Sequence, residues 1–553
     1  MAIEMPPELP PALMPPAIAA QVFKAGSPSS FNGEIGGQKV EVTRLPYLSP
    51  QQVGKLAAAA SSPSQFIVNL SKVYRLNGNL LVQVLYYQKR DVVFVHAVQT
   101  SVGGISGHKL VRTYFEKLIG DKDLTISEFD QAWIMADLSA KRRGVNYSIT
   151  YTSTPDFSAT TINFERGEMA RDAHQWTLDL GNQGNRFAGR EFAGLGWRYW
   201  SKWGAEFNLN YMQALSDKAF EEVDTSYQGL VVGLNRPFSS GLYGLEIIGT
   251  QYESSLVQEV FSSQLPPELC GLLTDSPLCQ AGTTEAEVAG LDADTTIGSL
   301  TGEHVLSSGP GRRWVLSEKL TMVSDKVEDV VRNVLIVDEQ YSKAAIELKY
   351  LYGGRGRHGL GEGHIALGFI GGFGDESGSF ADVEQQAAVS PGKRSPDFLQ
   401  VAPSIRFSVG LASWFVIDLK ADGLFANGRQ VPQQDQFVLG GMDRMSAYLP
   451  GVLIGDSGYH ASLSFGGRAD GDAGFDVTPA LFIEHGSARF ENAAGEAGDT
   501  RSLTDAGLRV AISFGRAGNL ELVAASGIGD SNIPQQTVKE AEVDFYARLR
   551  VRF

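Results

Sequence analysis

Over the last eleven residues, Val543, Phe545, Ala547, Leu549, Val551 and Phe553 alternate with Asp544, Tyr546, Arg548, Arg550 and Arg552. Side chains of a strand change face at every residue, so this stretch has one apolar and one cationic face. The pattern recurs from residue 174 onward. Trp176, Leu178 and Leu180 show it, as do Ala193, Leu195, Trp197 and Tyr199, then Phe207, Leu209 and Tyr211. Further on, Phe415, Ile417 and Leu419 face away from Asp418 and Lys420, Ala461, Leu463 and Phe465 from Ser462 and Ser464, and Leu508, Val510 and Ile512 from Arg509 and Ser513. Apolar groups toward lipid and polar groups toward a wet lumen, with every backbone group paired in a closed sheet, are what a membrane-spanning barrel requires. Residues 173–553 therefore predict a transmembrane β-barrel of about 16 antiparallel strands.

The first part of the chain reads differently. Residues 1–36 are rich in Pro, Ala, Gly and Ser, a composition that buries little, and predict a flexible or plug-like arm with a weak helix at 11–23. From 37 to 100 the order is a strand (39–45), two helices, the second carrying Phe66, Leu70, Val73 and Tyr74 at helical spacing, and two strands (80–88 and 91–98). The same order repeats over 101–172. Its second helix starts at Ser127, with Ser127 and Asp130 in capping-box-like spacing and Phe129, Trp133 and Ala136 behind them. Two such α+β modules in tandem look like POTRA domains, the polypeptide-binding modules that precede certain barrels. A single α+β domain with no binding role is the plainer alternative.

Connection lengths support the barrel. With the modules in the periplasm, the long connections (about 257–311, 374–397, 428–456 and 529–540) fall outside, and the short ones near Lys202, Ser239, Leu411 and Ala517 fall inside. The chain of 553 residues is long enough for several domains, and its formal charge of −16 argues against nucleic acid as a partner. No basic stretch followed by an apolar one succeeds Met1, so the sequence reads as a mature chain whose signal peptide is absent. Cys270 and Cys279, the only cysteines, lie together in the longest predicted outer loop, where an oxidising compartment favours a disulfide between them.

The stretch 435–465, DQFVLGGMDRMSAYLPGVLIGDSGYHASLSF, starts as a strand, breaks at Gly440 and Gly441, and returns as a strand at Tyr459. Twin glycines permit a sharp reversal. A loop folding back into the lumen needs polar anchors, and Arg444 is one. On the following strand Phe475, Val477, Leu481 and Ile483 form the lipid face, which directs Phe482 and Glu484 inward. A carboxylate beside an inward loop that carries an arginine is a candidate ion pair, whose burial is costly unless both partners are present.

This arrangement is similar to the two-partner secretion transporters, outer-membrane barrels with two POTRA domains that export one large partner polypeptide. In that family the sixth outer loop carries a glycine pair, a Val-Arg-Gly-Tyr/Phe tetrad and then Gly-Asp. Its arginine pairs with the aspartate of a Phe-x-Asp-x-Gly motif on the next strand. Here the matching positions are Gly440, Gly441, Tyr448, Gly455 and Asp456, then Phe482, Glu484 and Gly486, and Asn182 to Gly184 resembles the family's Asn-x-Gly stretch. The tetrad reads Met445-Ser446-Ala447-Tyr448, so Ser446 stands at the arginine position and Glu484 at the aspartate position. Arg444, two residues earlier, could reach the longer glutamate.

The resemblance implies export of a secreted partner polypeptide through a pore in the outer-membrane lipid, gated by the inward loop, with POTRA modules capturing unfolded cargo by strand addition. Arg406, Arg509, Arg548 and Arg550 then form a cationic lining for an extended chain; they read equally as solvated residues of any water-filled barrel. A passive solute channel or porin and a barrel-assembly insertase are the alternatives. Gly455-Asp456-Ser457-Gly458 imitates a protease signature without its histidine and aspartate partners, and no phosphate-binding loop or metal-ligand set is legible. No enzyme, no nucleotide and no cofactor are expected.

Overall fold

The computed structural model describes residues 7–553 except 25–27, 44, 170–171, 185–188, 216–224, 263–281, 310, 357–358, 383–390, 413, 468, 471–474 and 494–497. Cys270 and Cys279 lie outside the described residues. No helix among those described is long and apolar enough to cross a membrane. The crossing is made by strands.

Numbered along the barrel, these are β1 His174–Gly181, β2 Phe192–Trp200, β3 Glu206–Ala214 and β4 Thr225–Phe238. Next come β5 Gly241–Ser262, β6 Gly282–Gly309, β7 Arg312–Asp329 and β8 Val334–Gly356. Then follow β9 Gly359–Phe373, β10 Leu399–Ala412, β11 Phe415–Ala426 and β12 Ser457–Gly467. The last four are β13 Asp476–Arg489, β14 Arg501–Ser513, β15 Gly518–Ser531 and β16 Phe545–Arg552. Each pairs antiparallel with its neighbour and β16 pairs with β1, so sixteen strands close the cylinder, with the two-residue strand Ala469–Asp470 adding to the β12–β13 hairpin. The predicted lipid face is the exposed one: Leu481 is 64% and Ile483 43% exposed, whereas Phe482 and Glu484 between them are buried.

One stretch departs from expectation. Residues 282–309 belong to β6, a strand of 28 residues, and not to an outer loop. Its outward positions include Thr296, Gly298, Leu300 and Gly302, so small and polar residues interrupt a face that elsewhere carries successive large apolar ones. Inward, Ala293, Thr295 and Ser299 are buried.

Ahead of the barrel, the strands Ser29–Ile35, Gln38–Thr43, Val82–Lys89 and Val92–Gln99 form one sheet, backed by helices α2 Pro50–Ala58 and α3 Pro63–Leu76. Val40, Val42, Phe66, Leu70, Val84 and Val95 fill the core between them. A second sheet orders Ser101–Ser106, Ala159–Glu168 and Val145–Ser153, with α4 Lys109–Phe115 and α5 Ile126–Lys141 against it.

The segment expected as a flexible or plug-like arm docks on the first sheet. Ser29–Ile35 is an edge strand of the first sheet, and Ala12–Leu13 pairs in parallel with its opposite edge, Val82–Lys89. The helix α1 Pro16–Val22 follows. Leu9 and Met14 bury apolar side chains that a solvated arm would expose, which is why the segment docks.

The α5 helix is capped by Thr125 and Glu128 in a reciprocal capping box, two positions earlier than Ser127 and Asp130 suggested. Those two residues instead reach the barrel. Ser308 of β6 donates its N–H to Ser127 Oγ at 3.1 Å and its hydroxyl to Asp130 Oδ2 at 2.6 Å. At the helix's other end, Arg142 is 6% exposed and donates to the carbonyls of Asn235 and Gly204, while Arg143 Nη2 donates to Trp203 O at 2.8 Å. One helix thus spans three neighbouring hairpins on the module-facing rim.

Candidate functional site

The connection between β11 and β12, residues 427–456, is the sixth at the rim away from the modules. It leaves β11, forms a short ribbon in which Phe437–Leu439 pairs with Leu453–Gly455, and turns back at its tip. Gly440 and Gly441 have φ of 109° and 93°, a region that side chains rarely enter, and a Cβ on Gly440 would lie 2.0 Å from the Leu449 carbonyl oxygen. The reversal is closed by Gly440 N–H donating to Arg444 O at 2.9 Å and Gly441 N–H donating to Tyr448 O at 2.7 Å.

The tip lies inside the barrel. Leu439, Met445, Ala447, Tyr448 and Leu453 pack with Ala488 of β13 and Leu503 of β14, and Met442 packs with Phe482, Val523 and Tyr546. These wall residues alternate with lipid-facing Leu481, Ile483, Leu508 and Phe545, so the side that meets the loop is the lumen. Burial of Leu439, Met445 and Leu453 contributes about 1.5–3 kcal/mol each. Gly486 of β13 makes room: a Cβ there would stand 2.8 Å from Leu439 and 3.1 Å from Met445 Sδ.

Polar groups fix the tip. Glu484 Oε2 accepts hydrogen bonds from the Ser446 N–H at 2.9 Å and the Ser446 hydroxyl at 3.0 Å. That hydroxyl also lies 3.1 Å from Met442 O, and its single proton serves one acceptor at a time. The neighbouring Ala447 N–H donates to Asp505 Oδ2 of β14 at 2.7 Å. Arg509 of β14 donates from Nη2 to Met442 O at 2.9 Å, with its guanidinium over the Phe482 ring. Tyr546 of β16 donates its hydroxyl to Tyr448 O at 2.7 Å. Leu449 N–H donates to Ala541 O and Val543 N–H to Ala447 O, joining the tip to the connection before β16, where α6 Gln535–Ala541 lies.

The expected Arg444–Glu484 pair does not form. Arg444 Nη2 donates to Asp422 Oδ2 of β11, and its guanidinium lies over Phe437. The backbone turn decides this: Ser446, not Arg444, faces β13, so the serine at the family's arginine position keeps the contact with the acid at the family's aspartate position. His460 of β12 takes up the space between the two acids. Its Nδ1 is 3.6 Å from Asp422 Oδ1 and its Nε2 3.6 Å from Glu484 Oε1, with the side chain fully buried. When protonated, it supplies the positive charge that Ser446 lacks.

The remaining sequence candidates fall in other places. Asp456 ties the loop base to its surroundings by accepting the N–H groups of Val431 and Glu491, each at 2.9 Å. Gly455 passes against Arg489, where a Cβ would meet the carbonyl oxygen at 2.4 Å. Of the four arginines read as a lumen lining, Arg406 is exposed and Arg509 holds the loop. Arg548 and Arg550 converge on Asp179 of β1, at 2.6 and 2.7 Å, and clamp the β1–β16 seam. Asn182 extends that seam, accepting the Ala547 N–H at 2.7 Å and donating to Phe545 O at 3.0 Å.

Sequence reasoning missed Asp422, His460, Asp505, Asp179 and Tyr546. Face parity carries the signal for most of them. Asp422 shares a face with Asp418 and Lys420, His460 with Ser462 and Ser464, and Asp505 with Arg509.

No protein-family model and no curated protein sequence matches the chain. Solved structures do resemble it. CdiB from Escherichia coli superposes with a TM-score of 0.66 at 12% identity, covering 96% of this chain and 92% of that one. The chain has the CdiB fold. CdiB from Acinetobacter baumannii matches with a TM-score of 0.57 at 13% identity, over 96% and 91% of the two chains. The CdiB fold accounts for barrel and modules together; the loop's chemistry rests on this chain's own residues.

Proposed function

We propose that the protein exports a partner polypeptide across the bacterial outer membrane, with its α+β modules in the periplasm. The modules capture the unfolded cargo by strand addition, the barrel provides the path, and the loop 427–456 closes it at rest. The observation that carries this reading is the inward loop itself. A passive solute channel gains nothing from contacts that hold a polypeptide segment in its lumen through Glu484, Asp505, Arg509 and Tyr546. Two modules, the second tied to the barrel by α5, are likewise redundant for a channel. Folding of the cargo outside supplies direction without a nucleotide.

Comparison of the secreted proteins of strains with and without the transporter tests the reading. Export predicts loss of one large protein, restored by complementation and not by a barrel lacking residues 37–170. An unchanged set of secreted proteins together with a general loss of outer-membrane barrels would favour an insertase.

A further inference from the structure

The arm occupies the place where strand addition would occur. Among the described residues, Val82–Lys89 of the first sheet has Val92–Gln99 on one side and only Ala12–Leu13 on the other. The register is parallel, Ala12 opposite Leu85 and Leu13 opposite Tyr86, and Met14 N–H donates to Tyr86 O at 2.7 Å. The arm then crosses the sheet face turned away from α2 and α3. Met14 and Ala19 pack there on Leu85, with Ile18, Phe23, Tyr87 and Val98 around them, and the Phe23 and Phe94 rings meet edge-on at 4.8 Å. The second module holds the arm's beginning, since Tyr151 donates its hydroxyl to Pro7 O at 3.1 Å.

The arm is built to bind this edge weakly. Pro10, Pro11, Pro15 and Pro16 bracket the paired residues. Proline has no N–H to give to a ladder, so the pairing stops after two residues although the edge strand offers eight. An extended segment without proline would make the longer ladder and replace the arm at a net gain in hydrogen bonds. Between the prolines the arm is uncharged and apolar, and it fills the face with Met14, which is fully buried.

We propose that the arm is an internal competitor on the cargo-binding edge of the first module. The cargo segment that displaces it is extended, uncharged and free of proline, aligns parallel to Val82–Lys89, and carries a large apolar residue where Met14 lies. The cargo role rests on the export reading above; the competition does not.

The probe is a fluorescent peptide with the arm's sequence 8–23, its anisotropy measured with the detergent-solubilised full-length protein and with a variant lacking residues 2–24. A tethered segment acts at an effective concentration in the millimolar range, so the intact protein is expected to bind the peptide at least ~10-fold more weakly than the variant. Full-length Met14→Asp, which loosens the arm without removing it, should bind like the deletion. A peptide carrying Pro10→Thr and Pro16→Thr, the positions whose N–H would face the edge in the register set by Met14 N–H, should bind the deletion variant several-fold tighter than the native peptide. Equal binding of the native peptide to all three proteins, or no gain from removing the prolines, overturns the proposal. If the peptide results hold while secretion is unaffected by loss of the transporter, the competition stands and the export reading falls.

Discussion

The Ser446 hydroxyl donates to Glu484 Oε2 at 3.0 Å, and the Ser446 N–H reaches the same oxygen at 2.9 Å. The sequence resemblance implied an arginine for this contact; here it is made by a small neutral residue, and half of it comes from the backbone. Substitutions on the two sides of this contact should therefore differ. Ser446→Ala keeps the N–H donor and is expected to cost only about 1 kcal/mol, whereas Glu484→Ala strands that donor and His460 and should cost several times more. Conductance in planar bilayers checks this, with frequent large openings for Glu484→Ala and few for Ser446→Ala.

Placing an arginine at 446 should not tighten the loop. Ser446 is 1% exposed, and His460 already fills the space between Glu484 and Asp422. Ser446→Arg alone is expected to expel the tip, because a guanidinium has neither volume nor a free acid to enter. Combined with His460→Ala it gains both, and the double variant should be closed again in the same bilayer measurement.

Gly486→Val tests the packing without touching a charge. The added side chain would overlap Leu439 and Met445, which anchor the tip. Overpacking of this kind costs about 1–3 kcal/mol, and a Cβ at 2.8 Å puts this site at the upper end. Protease cleavage within 437–455 on intact cells, absent in the parent, is the expected sign of an expelled loop.

The modules should grip the barrel more firmly in acid. Burial raises the Asp130 carboxyl above the ordinary carboxylate value, and the Ser308 hydroxyl offsets only part of that. A raised pKa in the docked state means that Asp130 favours docking fully below its undocked pKa of about 4, and that this contribution is lost as pH rises through the docked value. Hydrogen exchange along α5 should accelerate across that window, and Asp130→Asn should abolish the dependence.

At the seam, Asp179→Asn removes the only acid within reach of both Arg548 and Arg550 among the described residues. Charge-assisted hydrogen bonds contribute about 1.5–3 kcal/mol, so the variant should unfold at a lower temperature on heat-modifiability gels. Arg550→Gln, which leaves Arg548 on Asp179, should fall between the two.

Alternation made most of the barrel legible because lipid on one side and water on the other impose opposite demands on successive residues. Where the lipid face is built from Thr296, Gly298 and Gly302, the signal disappears and β6 reads as a loop. The docking of the arm is hidden for a related cause: proline and alanine mark a chain that folds poorly alone, and composition is silent about a neighbouring sheet that supplies the missing partner. In the site, face parity placed Glu484 correctly, but the choice between Arg444 and Ser446 depends on a turn in which Gly440, Gly441 and Met445 all have positive φ. Such a turn has no periodicity to read.

The grip of α5 on the hairpins β2–β3, β4–β5 and β6–β7 divides the cylinder into two unequal halves. The half under the helix is braced from below. Among the described residues, the half formed by β11 to β16 carries the polar contacts of the tip, residues 440–448, to the wall and has no such brace from α5. Whatever loosens the tip releases contacts on the unbraced side, like a door hung on a fixed post.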